Sequence, residues 1–236
     1  MPAAGAAFDH PIFGESLRII QAMPAVAAAL TALGSLQQDV VLRLIHSSGD
    51  PELAGAVRFT PEACELGLAA LAAGAPILTD TAMAAAAVAP MARRTFGNPV
   101  RSVLEWAPEH APVGSTRAAA GMARALAERG QPGGLPRVAP VVLIGSAPTA
   151  LEVLLEQAGF LAAEHGCGNA TAQPPALVIG MPVGFVGVAE SKCHLAASGL
   201  AHIRLEGSKG GAGLVAAACN ALLRAAWLQA ASAPSV

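Results

Sequence analysis

Tyrosine is absent from the 236 residues, and aromatics together make up 3% of the chain. Modules that stack nucleic-acid bases on aromatic rings need more than that. Lysine occurs only at Lys192 and Lys209, no basic run exists, and the formal net charge is −2. Neither a nucleic-acid nor an anionic-membrane partner is expected from such a charge balance. Charged residues are 13% against 54% hydrophobic, which excludes a disordered chain. The four cysteines, Cys64, Cys167, Cys193 and Cys219, form neither a CxxC pair nor a Cys/His set at finger spacing. No metal site is expected, and free thiols fit a reducing cytoplasm. Neither GxGxxG nor GxxxxGK[ST] is present, so a nucleotide binder lacks its motifs. Met1 to Phe8 has no basic start and no apolar core, so no secretory signal is read there. The uncharged span 166–189 contains Pro174, Pro175 and Pro182 with several glycines. It reads as loop plus buried strand, not as a membrane span.

What is present centres on residues 177–192. Leu177 to Ile179 is a fully apolar run, the pattern of a buried parallel strand. It breaks at Gly180, Pro182, Gly184 and Gly187 and closes on Glu190, Ser191 and Lys192. In open α/β sheets ligands bind just beyond the carboxyl ends of strands, and this turn occupies such a position. Strands near residues 76, 100, 138, 177 and 202 alternate with helical segments. That alternation predicts a three-layer α/β/α domain on a five-stranded parallel sheet. Helices are expected over 9–22, 36–47, 60–73 and 81–92, and then after Ser115 or Thr116, after residue 150, over 190–197 and from about 213 to 228. Thr60 reads as the cap of the third helix, with Pro61 in its first turn. Pro90 reads as loop.

Chemistry-bearing residues gather at helix ends. Arg43 and His46 are three apart in the second helix, and Asp39 precedes Arg43 by four, close enough on the helix to hold it. Gly49 is placed to end that helix, so the dipole at its carboxyl end favours protonated His46. Arg117 sits in a first turn, where a cation opposes the dipole; this points to an anion-binding task. Asp80 and Thr81 follow a strand and can cap the next helix. Gly145-Ser-Ala-Pro-Thr-Ala150 precedes a helix and makes a cradle suited to a carboxylate.

Several segments carry a family likeness. Gly180-Met-Pro-Val-Gly-Phe-Val-Gly-Val-Ala-Glu-Ser-Lys192 resembles the signature of the precorrin-8X methylmutases, the precorrin isomerases of corrin biosynthesis. Ile12-Phe-Gly-Glu-Ser-Leu-Arg-Ile-Ile20, Arg43-Leu-Ile-His46, the segment ending in Asp80, Gly114-Ser-Thr-Arg117 and Gly145 to Ala150 are similar to the family in the same order. The likeness covers about residues 9–225 of a single domain spanning 1–236. It departs at Phe13, where the family often has tyrosine, and at Ala87-Val88-Ala89, where it has a hydroxyl residue.

The resemblance implies a flavodoxin-like fold and a homodimer. It implies an isomerase that converts precorrin-8X to hydrogenobyrinate, or cobalt-precorrin-8 to cobyrinate, by moving a methyl group, with no cofactor. It also implies roles: His46 as general acid, and Ser16, Arg43, Thr116, Arg117 and Lys192 as contacts to the carboxylate-edged tetrapyrrole. The rival expectation is a non-catalytic corrinoid carrier of the same fold.

Overall fold

Ile77 and Leu78 lie side by side in one strand, yet each packs into a different core. The same split recurs in the next strands: Val141 and Leu143 face one cluster, Val142 and Ile144 the other. Successive side chains of a strand point to opposite faces. A sheet covered on both sides therefore needs apolar residues at every position. The computed structural model describes residues 8–159 and 174–232. Cys167 and the first part of the 166–189 span lie outside the described residues.

Among the described residues six strands form one sheet: β1 (Val57–Phe59), β2 (Ile77–Thr79), β3 (Val100–Ser102), β4 (Val141–Ile144), β5 (Leu177–Gly180) and β6 (His202–Leu205). Their order is β1-β6-β5-β4-β2-β3. All neighbours are parallel except β1, which runs antiparallel to β6 with Val57 opposite Leu205. The expected five parallel strands are thus present, but the sheet is mixed and has a sixth strand. Only three residues long, β1 carries too little periodicity to stand out. Strand order reverses between β2 and β4, and the crevice outside their carboxyl ends is the usual ligand position in such sheets.

Ten helices are described: α1 (Pro11–Gln21), α2 (Pro24–Leu30), α3 (Ser35–Ser48), α4 (Leu53–Ala56), α5 (Ala63–Ala72), α6 (Ala82–Arg94), α7 (Arg117–Ala127), α8 (Pro148–Gln157), α9 (Val188–Ala197) and α10 (Ala212–Ser232). α10 packs against α3, α5 and α6 over one face, while α7, α8 and α9 pack together over the other. α1 lies on α3, outside the first layer. By length and hydropathy α10 is apolar enough to cross a membrane, but 56% of that stretch is buried inside this fold. Core packing accounts for its composition.

Several local expectations change. Thr60 does not cap α5; its hydroxyl accepts from the His202 amide at 2.8 Å, tying the chain to β6. The residue before α5 is Glu62, in the left-handed conformation at φ 58°. Pro90 lies inside α6, which runs on to Arg94. Both Pro90 and Ala86, whose carbonyl loses its helical partner, are exposed, so water can replace the missing bond. The strand expected near residue 100 stops at Ser102. The Ser102 hydroxyl accepts from Leu104 N, and Glu105 accepts from Ser102 N at 2.9 Å, which turns the chain into a short 3₁₀ helix.

Candidate active site

The loops at the carboxyl edge of the sheet are bonded to one another in sequence. Asp80, fully buried after β2, accepts from Ser146 N at 2.6 Å and Ala147 N at 2.8 Å in the loop after β4. Val183 N, in the turn after β5, donates to Gly145 O at 3.3 Å. Gly184 N donates to Ser208 O and Gly211 N to Met181 O, which joins that turn to the loop after β6. Lys209 in this last loop pairs with Asp50 and Glu52, each at 2.6 Å, just past the end of α3. The His46 end of α3 is thereby held at the same edge.

This network corrects two expectations. Asp80 does not cap α6; Thr81 does, accepting from Ala84 N at 3.1 Å. The 145–150 cradle is not open to an outside carboxylate, because Asp80 already fills it. Burial pushes the Asp80 carboxyl above its ordinary pKa, against the backbone N–H groups that favour its charge.

Ser16, Arg43 and His46 come together. Ser16 Oγ lies 2.7 Å from His46 Nδ1. The Phe13 ring meets the imidazole edge-on, with centroids 5.0 Å apart. The Arg43 guanidinium sits 4.7 Å from the Phe13 centroid, on a cation–π contact. Asp39 does not hold Arg43; no ion pair joins them. The carboxylate partner in this cluster is Asp9, which takes a forked pair from Arg224 of α10. Arg224 also lies over Phe13, 5.6 Å from its centroid. Sequence reasoning missed Arg224, and its 215-residue separation from Asp9 leaves no local signal.

The expected charge of His46 also changes. Gly49 does end α3 in the left-handed conformation, at φ 69°, so the helix dipole acts as anticipated. Yet burial, and then the charge of Arg43, hold the imidazole below its ordinary pKa. In the free protein the neutral ring is favoured.

Thr116 and Arg117 stand elsewhere on the same edge. Thr116, not Ser115, caps α7, accepting from Ala119 N at 3.1 Å. Its hydroxyl also pairs with that of Thr149, in the first turn of α8, at 2.7 Å. Arg117 is exposed and its Nε donates to Pro108 O at 2.9 Å, which aims the guanidinium. Lys192 is not in an open site. It is 2% exposed, and Nζ donates to Gly207 O at 2.7 Å and Lys209 O at 2.8 Å. The departure at Ala87-Val88-Ala89 falls within α6, where Val88 is buried in the core.

Between these groups the turn after β5 exposes Phe185 and Val186, 93% and 89% accessible. In sheet order β5 lies between β6, whose following loop pairs with Asp50 just past α3, and β4, whose following loop leads into α8 and Thr149. Among the described residues no group of three or more His, Cys, Asp or Glu could hold a metal.

The family model for precorrin-8X methylmutase matches residues 11–225. The chain belongs to the precorrin-8X methylmutase family. A cobalt-precorrin-8 methylmutase of Synechocystis sp. is 33% identical, over 93% of this chain and 97% of that protein. A precorrin-8X methylmutase of Pseudomonas aeruginosa is 38% identical, over 89% and 93%. The crystal structure of precorrin-8X methylmutase from Thermus thermophilus superposes with a TM-score of 0.72 at 38% identity. That match covers 92% of this chain and 98% of that one.

Proposed function

We propose that this chain is the isomerase that converts precorrin-8X to hydrogenobyrinate, or cobalt-precorrin-8 to cobyrinate, with His46 as the general acid. Methylmutases named for both substrates are among its relatives. The observation that carries the reading is the arrangement of the site. An acid–base imidazole with Arg43 stands at one side of an exposed apolar turn, and Thr116 with Arg117 stands at the other. A flat macrocycle edged with carboxylates suits an apolar floor flanked by cations.

Protonation of the macrocycle by His46 Nε2 drives the methyl group to the neighbouring carbon of ring C. The product is an isomer, so the proton is returned once the methyl group has moved. The Ser16 hydroxyl at Nδ1 fixes the ring orientation and leaves Nε2 for the substrate. Arg43 and Arg117 meet carboxylates on opposite edges. The carboxylates also raise the pKa of His46 in the complex, offsetting Arg43, so that the acid is charged when substrate is bound. Conversion of substrate by the purified protein, followed in the visible spectrum, tests the reading; tight binding without conversion would favour a carrier.

The protein acts in the cytoplasm as a two-fold dimer. Supporting the dimer, Val113, Met83, Phe185 and Val186 expose apolar surface that a second copy and the substrate can share. A light-scattering mass of about one chain at micromolar concentration would remove the dimer.

A further inference from the structure

Lys192 is one of two lysines in the chain, and it is buried, with 2% of its surface exposed. Taking an ammonium out of water is costly unless its hydrogen bonds are satisfied. Here the partners are two backbone carbonyls, Gly207 O and Lys209 O, with no carboxylate. Burial, and then the charge of Arg204, pull its pKa down to about 8. Its two bonds tie the α9 helix to the loop that follows β6.

What it positions is the 207–211 loop. That loop cannot be held by side chains of its own at its tightest point: a Cβ on Gly210 would fall 2.0 Å from Met181 O. The other lysine extends the connection. Lys209 reaches across to Asp50 and Glu52. Asp50 is in turn bonded into the end of α3: its amide donates to Ser48 Oγ at 3.1 Å, and Gly49 N donates to Ile45 O at 2.8 Å. His46 lies in that last turn.

We infer that Lys192 is a positioning residue that acts on the reaction through a relay. It fixes the 207–209 carbonyls, these fix Lys209, and Lys209 anchors the turn at Asp50 and Glu52 that sets where His46 stands. This inference rests on the methylmutase reading for its kinetic consequence. It replaces the expected contact between Lys192 and a substrate carboxylate.

The test uses full-length Lys192→Met, Lys209→Met and the double variant. The relay predicts that each single change lowers kcat about tenfold, since small misplacements of a catalytic group have large kinetic effects. Corrinoid Kd should stay within about twofold, and the double variant should be no slower than the slower single one, as for residues acting in one chain of contacts. Lys209→Arg, which keeps the ion pairs, should recover most of the rate. Unchanged kcat, additive losses, or a large rise in Kd with kcat retained would each overturn the relay; the last would return Lys192 to direct substrate contact. If Lys192→Met fails to fold, Lys192→Arg takes its place in the cycle, and Lys209→Met with Asp50→Asn tests the Lys209–Asp50 link by the same criteria. Should the wild type convert no substrate, the methylmutase reading fails, and the relay is read separately from the His46 imidazole by NMR. A resonance that moves in Lys209→Met and returns in Lys209→Arg supports it; one that does not move refutes it.

Discussion

Ser16 Oγ and His46 Nδ1 are 2.7 Å apart across 30 positions of sequence, joining α1 to the last turn of α3. The serine oxygen accepts from Nδ1–H in the imidazolium and again in the neutral ring left when Nε2 has given up its proton, so this bond persists through proton transfer at Nε2. The pairing gives His46 a fixed direction in both charge states.

The pH dependence follows from the charges around that ring. Burial and Arg43 depress the His46 pKa in the free protein. An acid must be protonated to act, so kcat/KM should fall as pH rises through this pKa, with a midpoint below about 6.5, the ordinary histidine value. The kcat profile, which reports the complex, should break at higher pH because substrate carboxylates favour the cation. Arg43→Gln removes a depressing charge and should move the kcat/KM midpoint upward. A pH–rate series on both proteins checks this; an unmoved midpoint would separate Arg43 from His46.

Arg117 aims an exposed guanidinium from the start of α7. Arg117→Ala should weaken corrinoid binding by about 1.5–3 kcal/mol, the scale of a charge-assisted hydrogen bond. Absorbance titration reads the affinity, and an unchanged Kd would remove Arg117 from the site.

Arg224 joins α10 to Asp9, just ahead of α1, and lies over Phe13, so it braces the helix that carries Ser16. Arg224→Met should lower stability by about 1.5–3 kcal/mol in urea unfolding, since it leaves the half-buried Asp9 carboxylate without its forked partner. A loss well under 1 kcal/mol would show that α1 is held by its apolar face alone.

The layered α/β plan was legible because β4 and β5 carry no polar side chain and because strands alternate with helical segments. Arg43 and His46 were legible as a pair because helical spacing puts them near each other. β1 was not, since three residues with one antiparallel neighbour carry almost no pattern. Nor were Asp9 and Arg224, whose contact is made only by the fold. The burial of Lys192 had a sequence signal: Val188, Ser191, Lys192 and Leu195 fall on one helical face, and all four are buried. Asp80 was placed as a cap because capping is local, whereas its actual partners come from the loop after β4, 66 and 67 residues on. The depressed pKa of His46 was not read from the sequence because its first cause is the partial burial of the ring by the fold, to which the neighbouring Arg43 adds.

Turnover of His46→Ala tests the central claim most directly. Wild type and variant would be compared at equal concentration, with substrate conversion followed by its visible spectral change and corrinoid binding measured in parallel. The account predicts a loss of about 10²-fold or more in turnover, the usual scale for a general acid. Binding and folding should be retained, because the arginines and apolar surface remain and the His46 side chain is exposed, outside the core. Near-wild-type turnover in His46→Ala would contradict it.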